Sequence, residues 1–252
     1  FLFSTSYFLA QKSLDYRHFL FSLTIGTVIT ILLIFIRLRS FFRFRFFSMK
    51  VMREMFHYGA FILLGGIASA LLLNSDKILI NKFLGQEQLG LYSAYYISSM
   101  TVTTYITVIF INVFFPKASD MSLNKVNLLY KLNKLAFILG LPGFLLVALV
   151  TRGALFFFGE QYEVSWYLIG LFSAMSLLLV YFTVIWWLIS ATGLKGVYFT
   201  AFIGVCIGIF FIAATIFLHT MLSIPIVLFL LMISVGIGIF SGNYALIKKI
   251  IE

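Results

Sequence analysis

Seven stretches of this chain, at about residues 18–36, 57–84, 91–115, 135–151, 166–190, 197–218 and 224–246, are apolar over close to the length an α-helix needs to cross a bilayer. None shows the period-two alternation of a membrane barrel strand, so each reads as a helix. Residues 1–10 read as the end of one more. The composition agrees: 62% of residues are hydrophobic, 10% are charged and the mean hydropathy is +1.10. A soluble domain carries roughly a quarter charged residues. The expected fold is therefore all-α, a polytopic membrane bundle of about seven transmembrane helices. Thirty-one Phe and thirteen Tyr suit lipid-facing and interfacial positions. A single Cys excludes a disulfide framework, and Cys206, inside an apolar run, reads as inert packing. The chain starts at Phe1 without a signal-peptide layout, and the expectation is a piece of a longer protein.

A net charge of +10 raises nucleic acid as a partner, but the distribution of charge points to topology instead. Residues 37–53 carry Arg37, Arg39, Arg43, Arg45, Lys50 and Arg53, whereas the next connection, 85–90, carries only Glu87. Residues 116–134 hold Lys117, Lys125, Lys131 and Lys134 against Asp120, and 152–165 hold Arg152 with Glu160 and Glu163. Lys195, a loop with His219, and then Lys248 and Lys249 continue the alternation. Positive loops thus fall on one side through six crossings, which assigns that side to the cytoplasm. The first segment has two readings. A single crossing of 18–36 places Lys12 and Arg17 outside. An internal repeat, in which Leu9-Ala10-Gln11-Lys12 echoes the segment 189–195, places Lys12 in the cytoplasm.

Within the apolar stretch 58–84, Asn74-Ser75-Asp76-Lys77 is a polar interruption. Ionisable groups in a span cost about 2.5–3.5 kcal/mol each on insertion scales, so they face a wet cavity or pair with each other. At 100° per residue Gly66, Ala70, Asn74, Lys77 and Asn81 share one helix face, small toward one end and polar toward the other. Two readings follow. In one the face is a cavity wall whose Lys77 attracts an anion. In the other Asp76 and Lys77 neutralise each other and Lys77 snorkels to the interface. The cost of charge in a span favours the cavity.

Residues 41–50 interleave Arg43, Arg45 and Lys50 with Phe41, Phe42, Phe44, Phe46 and Phe47, a pattern that can grip single-stranded nucleic acid. Here it abuts membrane helices, and an interfacial helix on anionic lipid explains it better. Gly204 with Gly208, and Gly238 with Gly242, mark close helix packing. Pro142 is expected to kink or break its helix. His18, His57 and His219 have no ligand spacing, so no metal is expected. No phosphate-cradling Gly-rich loop and no Ser, His and carboxylate set is present, so neither a nucleotide cofactor nor catalytic residues are assigned.

The order Tyr58-Gly59, Asn74-Ser75-Asp76-Lys77-Ile78-Leu79-Ile80, Phe83-Leu84-Gly85 and Gly90-Leu91-Tyr92-Ser93-Ala94-Tyr95-Tyr96 resembles the polysaccharide-biosynthesis and O-antigen flippases of the multidrug/oligosaccharidyl-lipid/polysaccharide exporter superfamily. Phe115-Pro116, which in that family closes a helix, Phe158-Gly159 with Tyr162, and Ala191-Thr192-Gly193 extend the likeness to about Ala201. Lys77 stands where Arg is commoner, keeping the charge without the bidentate fork. The resemblance implies two six-helix bundles. Residues 1–36 would then end the first bundle, 37–56 form a basic cytoplasmic linker, and 57–252 form the second. It also implies export of a polyprenyl-pyrophosphate-linked oligosaccharide from the cytoplasmic to the outer leaflet of the bacterial inner membrane. Partners would be that lipid-linked oligosaccharide, membrane lipids and the N-terminal bundle, with no nucleic acid. Lys77 would hold the lipid-linked anion, with Asp76 as its partner or as a coupling-ion site. Asn74, Asn81 and Asn112 would hydrogen-bond sugar, and Arg152 is a further binding candidate. A cation-coupled multidrug exporter of the same superfamily and a membrane glycan polymerase or acyltransferase are the alternatives. A single intramembrane carboxylate weighs against the first, and short outer loops against the second.

Overall fold

The computed structural model describes residues 16–38, 48–118, 125–159 and 164–248. The helix end expected at residues 1–10, the repeat beginning at Leu9, Tyr162 and most of the aromatic–basic stretch 41–50 lie outside them. Among the described residues there is no strand. The helices are α1 (Tyr16–Leu38), α2 (Met49–Leu84), α3 (Gln86–Tyr96), α4 (Val102–Ala118), α5 (Lys125–Phe158), α6 (Trp166–Ser190), α7 (Leu194–Phe217) and α8 (Ile224–Ile247). A π-helical turn, Ile97–Thr101, joins α3 to α4, and a 3₁₀ turn, His219–Met221, precedes α8. Six spans among the described residues are long and apolar enough to cross a membrane: α2, α3 with α4, and α5 to α8 singly. The chain is a multi-pass, all-α membrane protein. It divides into two compact units, Phe1–Glu54 and Met55–Glu252. The first holds α1, an apolar helix with Arg37 in its last turn, where a cation complements the helix dipole.

In the second unit α6 and α8 are the most buried spans and α2 and α5 the most exposed. Lipid is as apolar as leucine, so burial of apolar surface does not drive these helices together; close packing does. Small residues supply it. A Cβ on Gly204 would lie 3.3 Å from the Ala68 Cβ, and Gly208 faces the Ala68 carbonyl at 3.8 Å, which seats α2 on α7. Gly238 meets Phe182 and Ile207, and Gly242 meets Ile185 and Ile189, all under 3.0 Å from an added Cβ, which seats α8 against α6 and α7. Both four-residue glycine pairs are packing seams. Because Gly204 and Gly208 face inward, Cys206, about 200° round the helix, is exposed rather than packed. The buried side chains form two cores. The larger runs through Tyr92, Tyr95, Leu155, Phe172 and Val227; the smaller joins Leu129 and Leu132 to Ile185, Leu188 and Leu246.

Three expectations about helix ends need correction. Residues 85–90 are not a loop. Gly85 alone, at φ 87°, reverses the chain, and Gln86 already starts α3 with Glu87 in its first turn. Only glycine enters that left-handed region at little cost, and an acid near the N-terminus complements the helix dipole. Of the kink or break expected at Pro142, the break does not occur; α5 continues through it. A proline costs one backbone bond, which neighbouring helices and side chains compensate in a membrane. Pro116 likewise lies inside α4, which runs on to Ala118.

The α6–α7 turn is tight enough to exclude a methyl group. A Cβ on Gly196 would lie 2.0 Å from the Ile189 carbonyl oxygen and 2.3 Å from the Thr192 Oγ1. The carbonyl belongs to the backbone and cannot rotate aside. Gly196→Ala is therefore expected to destabilise the bundle by about 2–4 kcal/mol, above the usual overpacking range of about 1–3. Thermal unfolding in detergent checks this, and an unchanged midpoint refutes the constraint.

Candidate functional site

The one-residue reversal at Gly85 sets up the site. Gly85 folds α3 back along α2, and across this helical hairpin Asp76, nine positions before the turn, meets Tyr92, seven after it. Both are fully buried. The Tyr92 hydroxyl donates to Asp76 Oδ2, and the Lys77 backbone N–H donates to Oδ1 at 2.7 Å. The Tyr92 ring lies 5.2 Å from Phe172 of α6, which also stacks with Tyr95 at 5.4 Å. The Tyr95 hydroxyl accepts from the Ser165 N–H at 2.8 Å, and Ser165 caps α6. Aromatic side chains from two helices, tied to the start of α6, thus close over one carboxylate.

Lys77 is one position further on, about 100° round α2. It is half-buried, and its Nζ lies 3.9 Å from the centre of the Tyr96 ring and 3.5 Å from Asn74 Oδ1. Asn74 Nδ2 in turn donates to the Ala70 carbonyl at 2.9 Å. Asp76 and Lys77, read from sequence as mutual partners in one interpretation, turn to different neighbours: the carboxylate inward to Tyr92, the ammonium sideways to Tyr96. Gly66, Ala70, Asn74 and Asn81 are all exposed on the side of α2 that carries Lys77. An ammonium held by an aromatic face and one amide oxygen has donors left for an anion.

The structure does not bring the other two candidates here. Asn112 is exposed on α4, 26 residues beyond the start of α3, or roughly 39 Å along the span at helical rise. Asn74 is only about 15 Å from the end of α2. Arg152 is exposed on α5, with its guanidinium carbon 5.5 Å from the centre of the Trp166 ring, an arrangement of interfacial anchors. Among the described residues neither has a hydrogen bond to Asp76 or Lys77, and no group of three His, Cys, Asp or Glu gathers. Tyr92 and Tyr96 are the site residues that reading the sequence missed. Counting outward from Gly85 as a one-residue turn sets Ala94, nine positions after it, level with Asp76, nine before, which brings the nearby Tyr92 within reach of the carboxylate.

Neither the curated proteins nor the solved structures yield a significant match. The sequence model of one family, described as polysaccharide biosynthesis protein, matches residues 14–167, more than half of the 252 residues. That match starts upstream of the likeness noted from Tyr58 and ends at the beginning of α6. It covers α2, α3 and the whole of the Asp76–Tyr92 and Lys77–Tyr96 arrangement. The chain belongs to the polysaccharide biosynthesis protein family, and its helices serve the synthesis or export of a polysaccharide.

Proposed function

We propose that this chain moves a polyprenyl-pyrophosphate-linked oligosaccharide across the bacterial inner membrane, as one half of a two-bundle flippase. The observation that carries the reading is the Lys77 ammonium, set on Tyr96 and Asn74 along an exposed polar strip of an otherwise apolar spanning helix. A pyrophosphate and its sugars cannot enter hydrocarbon without polar partners. The strip supplies a cation at Lys77 and amides at Asn74 and Asn81. Asp76, bound to Tyr92 behind the strip, fixes the local position of α2. Asn112 offers an amide toward the opposite leaflet, and Arg152 anchors the other interface. An exposed strip of this kind is costly against lipid, so a second bundle, the chain's principal partner, covers it and encloses the cavity. The basic loop ends face the cytoplasm.

The test is complementation of a flippase-deficient cell. The complete transporter containing this chain restores surface glycan, and residues 1–252 alone do not. In the same cells, in a Cys206→Ser background, cysteines at Glu87 and Met221 react with an impermeant thiol reagent and one at Lys195 is protected. Recovery by these residues alone removes the two-bundle reading. Normal glycan synthesis and surface display without the complete transporter removes the export reading.

A further inference from the structure

Two irregularities lie in neighbouring helices. The π turn begins 11 residues after the start of α3, and Pro142 lies 16 residues before the end of α5, about 17 and 24 Å along their own helices. The π turn is stabilised by hydroxyls: Ser98 and Ser99 donate to the Ala94 and Tyr95 carbonyls at 2.7 and 2.8 Å, and Thr103 to Ser99 and Met100 at 3.1 and 3.0 Å. Such turns mark functional positions in helices more often than regular ones do.

α5 packs against this π turn, and a cleft of about 720 Å³ opens between α4 and α5 with α6 as its floor. Its walls are apolar, among them Ile106 and Phe110 of α4, Leu139 and Phe144 of α5, and Leu177 and Val184 of α6. The two halves of α5 belong to different cores: Leu155 to the larger, Leu129 and Leu132 to the smaller. Between those attachments α5 borders the cleft from Leu132 to Phe144, a stretch that includes Pro142, Gly140 and Gly143.

Besides the packing of Leu129 and Leu132, a polar relay fastens the half of α5 that precedes Pro142. The Tyr181 hydroxyl donates to Asn133 Oδ1 at 2.5 Å, Asn133 Nδ2 to Asn243 Oδ1 at 3.4 Å, and Asn243 Nδ2 to the Ile239 carbonyl at 2.9 Å. It ties α5 to α6 and α8, and Tyr181 itself lines the cleft. Hydrogen bonds between membrane helices are weak enough to exchange. A proline lacks the amide that would hold the two halves of α5 in line.

We propose that residues 125–141 of α5 form a hinged gate that swings about Pro142 across the cleft, with Tyr181, Asn133 and Asn243 as its latch. The movement follows from helix geometry and does not depend on what the protein carries. At helical rise Tyr130 is about 18 Å from Pro142, so a swing of about 20° displaces it by about 6 Å.

Spin labels on cysteines at Val113 and Tyr130 report the cleft, and labels at Leu149 and Trp166 report the other half, all in the complete protein with Cys206→Ser in bilayers. Tyr181→Phe, which removes one hydroxyl, adds a second population at the 113–130 pair displaced by about 6 Å, while the 149–166 pair is unchanged. Adding Pro142→Ala abolishes the second population. An unchanged 113–130 distribution in both Tyr181→Phe and Asn133→Leu overturns the proposal. So does a shift at both label pairs, which is general loosening, or a second population that survives Pro142→Ala.

Discussion

On the proposed export function, Lys77→Glu in the complete transporter is expected to abolish glycan export, by at least about 100-fold, because opposed like charges cost several kcal/mol and each 1.4 kcal/mol is tenfold. Lys77→Ala loses most of it, and Lys77→Arg keeps it. The ammonium rests on the Tyr96 ring and the Asn74 amide, both neutral, so an arriving anion need not displace a carboxylate. Asp76, the nearest acid in sequence, is fully buried against Tyr92. Protein abundance in the membrane must be measured alongside, because a variant that fails to insert also fails to export. Full export by Lys77→Ala at normal abundance would sink the anion site and leave Lys77 as a snorkelling residue.

The second large effect is on stability. Tyr92→Phe removes the hydroxyl bound to Asp76 Oδ2 and leaves that oxygen in a site with no exposure. Stranding a buried polar group costs about 1–3 kcal/mol, more if it is charged, which for a bundle of this size lowers the unfolding midpoint by about 2–12 °C. The double variant Tyr92→Phe with Asp76→Leu recovers most of that loss, since replacing both partners by apolar groups removes the desolvation cost. Measured in detergent, an unaltered midpoint for Tyr92→Phe, or no recovery in the double variant, shows that the pair does not hold α2 to α3.

Apolar run length located the spans, because in a membrane protein it answers directly to the thickness of the hydrocarbon. Helix ends were less legible. The stretch 85–90 reads as a loop on composition, yet one glycine at positive φ suffices and the other residues continue as helix. The π turn left no trace, since Ile97-Ser98-Ser99-Met100-Thr101 is also an ordinary helical sequence, and only the neighbouring helices select the wider turn. At the site, Asp76 and Lys77 were conspicuous because charge is rare in these spans. Their partners were not, because tyrosines are common here and which one meets the carboxylate depends on the length of the turn. Asn112 is polar in an apolar run as Asn74 is, but one-dimensional spacing does not show that the two stand toward opposite ends of the fold.

A reversal of one residue at Gly85 also governs how the protein enters its membrane. A helix carrying Asp76 and Lys77 near its trailing end is a poor candidate to be released into lipid alone. With no loop to spare, α3 must follow into the bilayer directly behind α2, and it carries Tyr92 and Tyr96 within its first three turns. The two helices are therefore expected to insert as one hairpin, which brings each charge to its tyrosine on entry. Lengthening that turn by a flexible insert separates the two events and slows the delivery of the folded bundle.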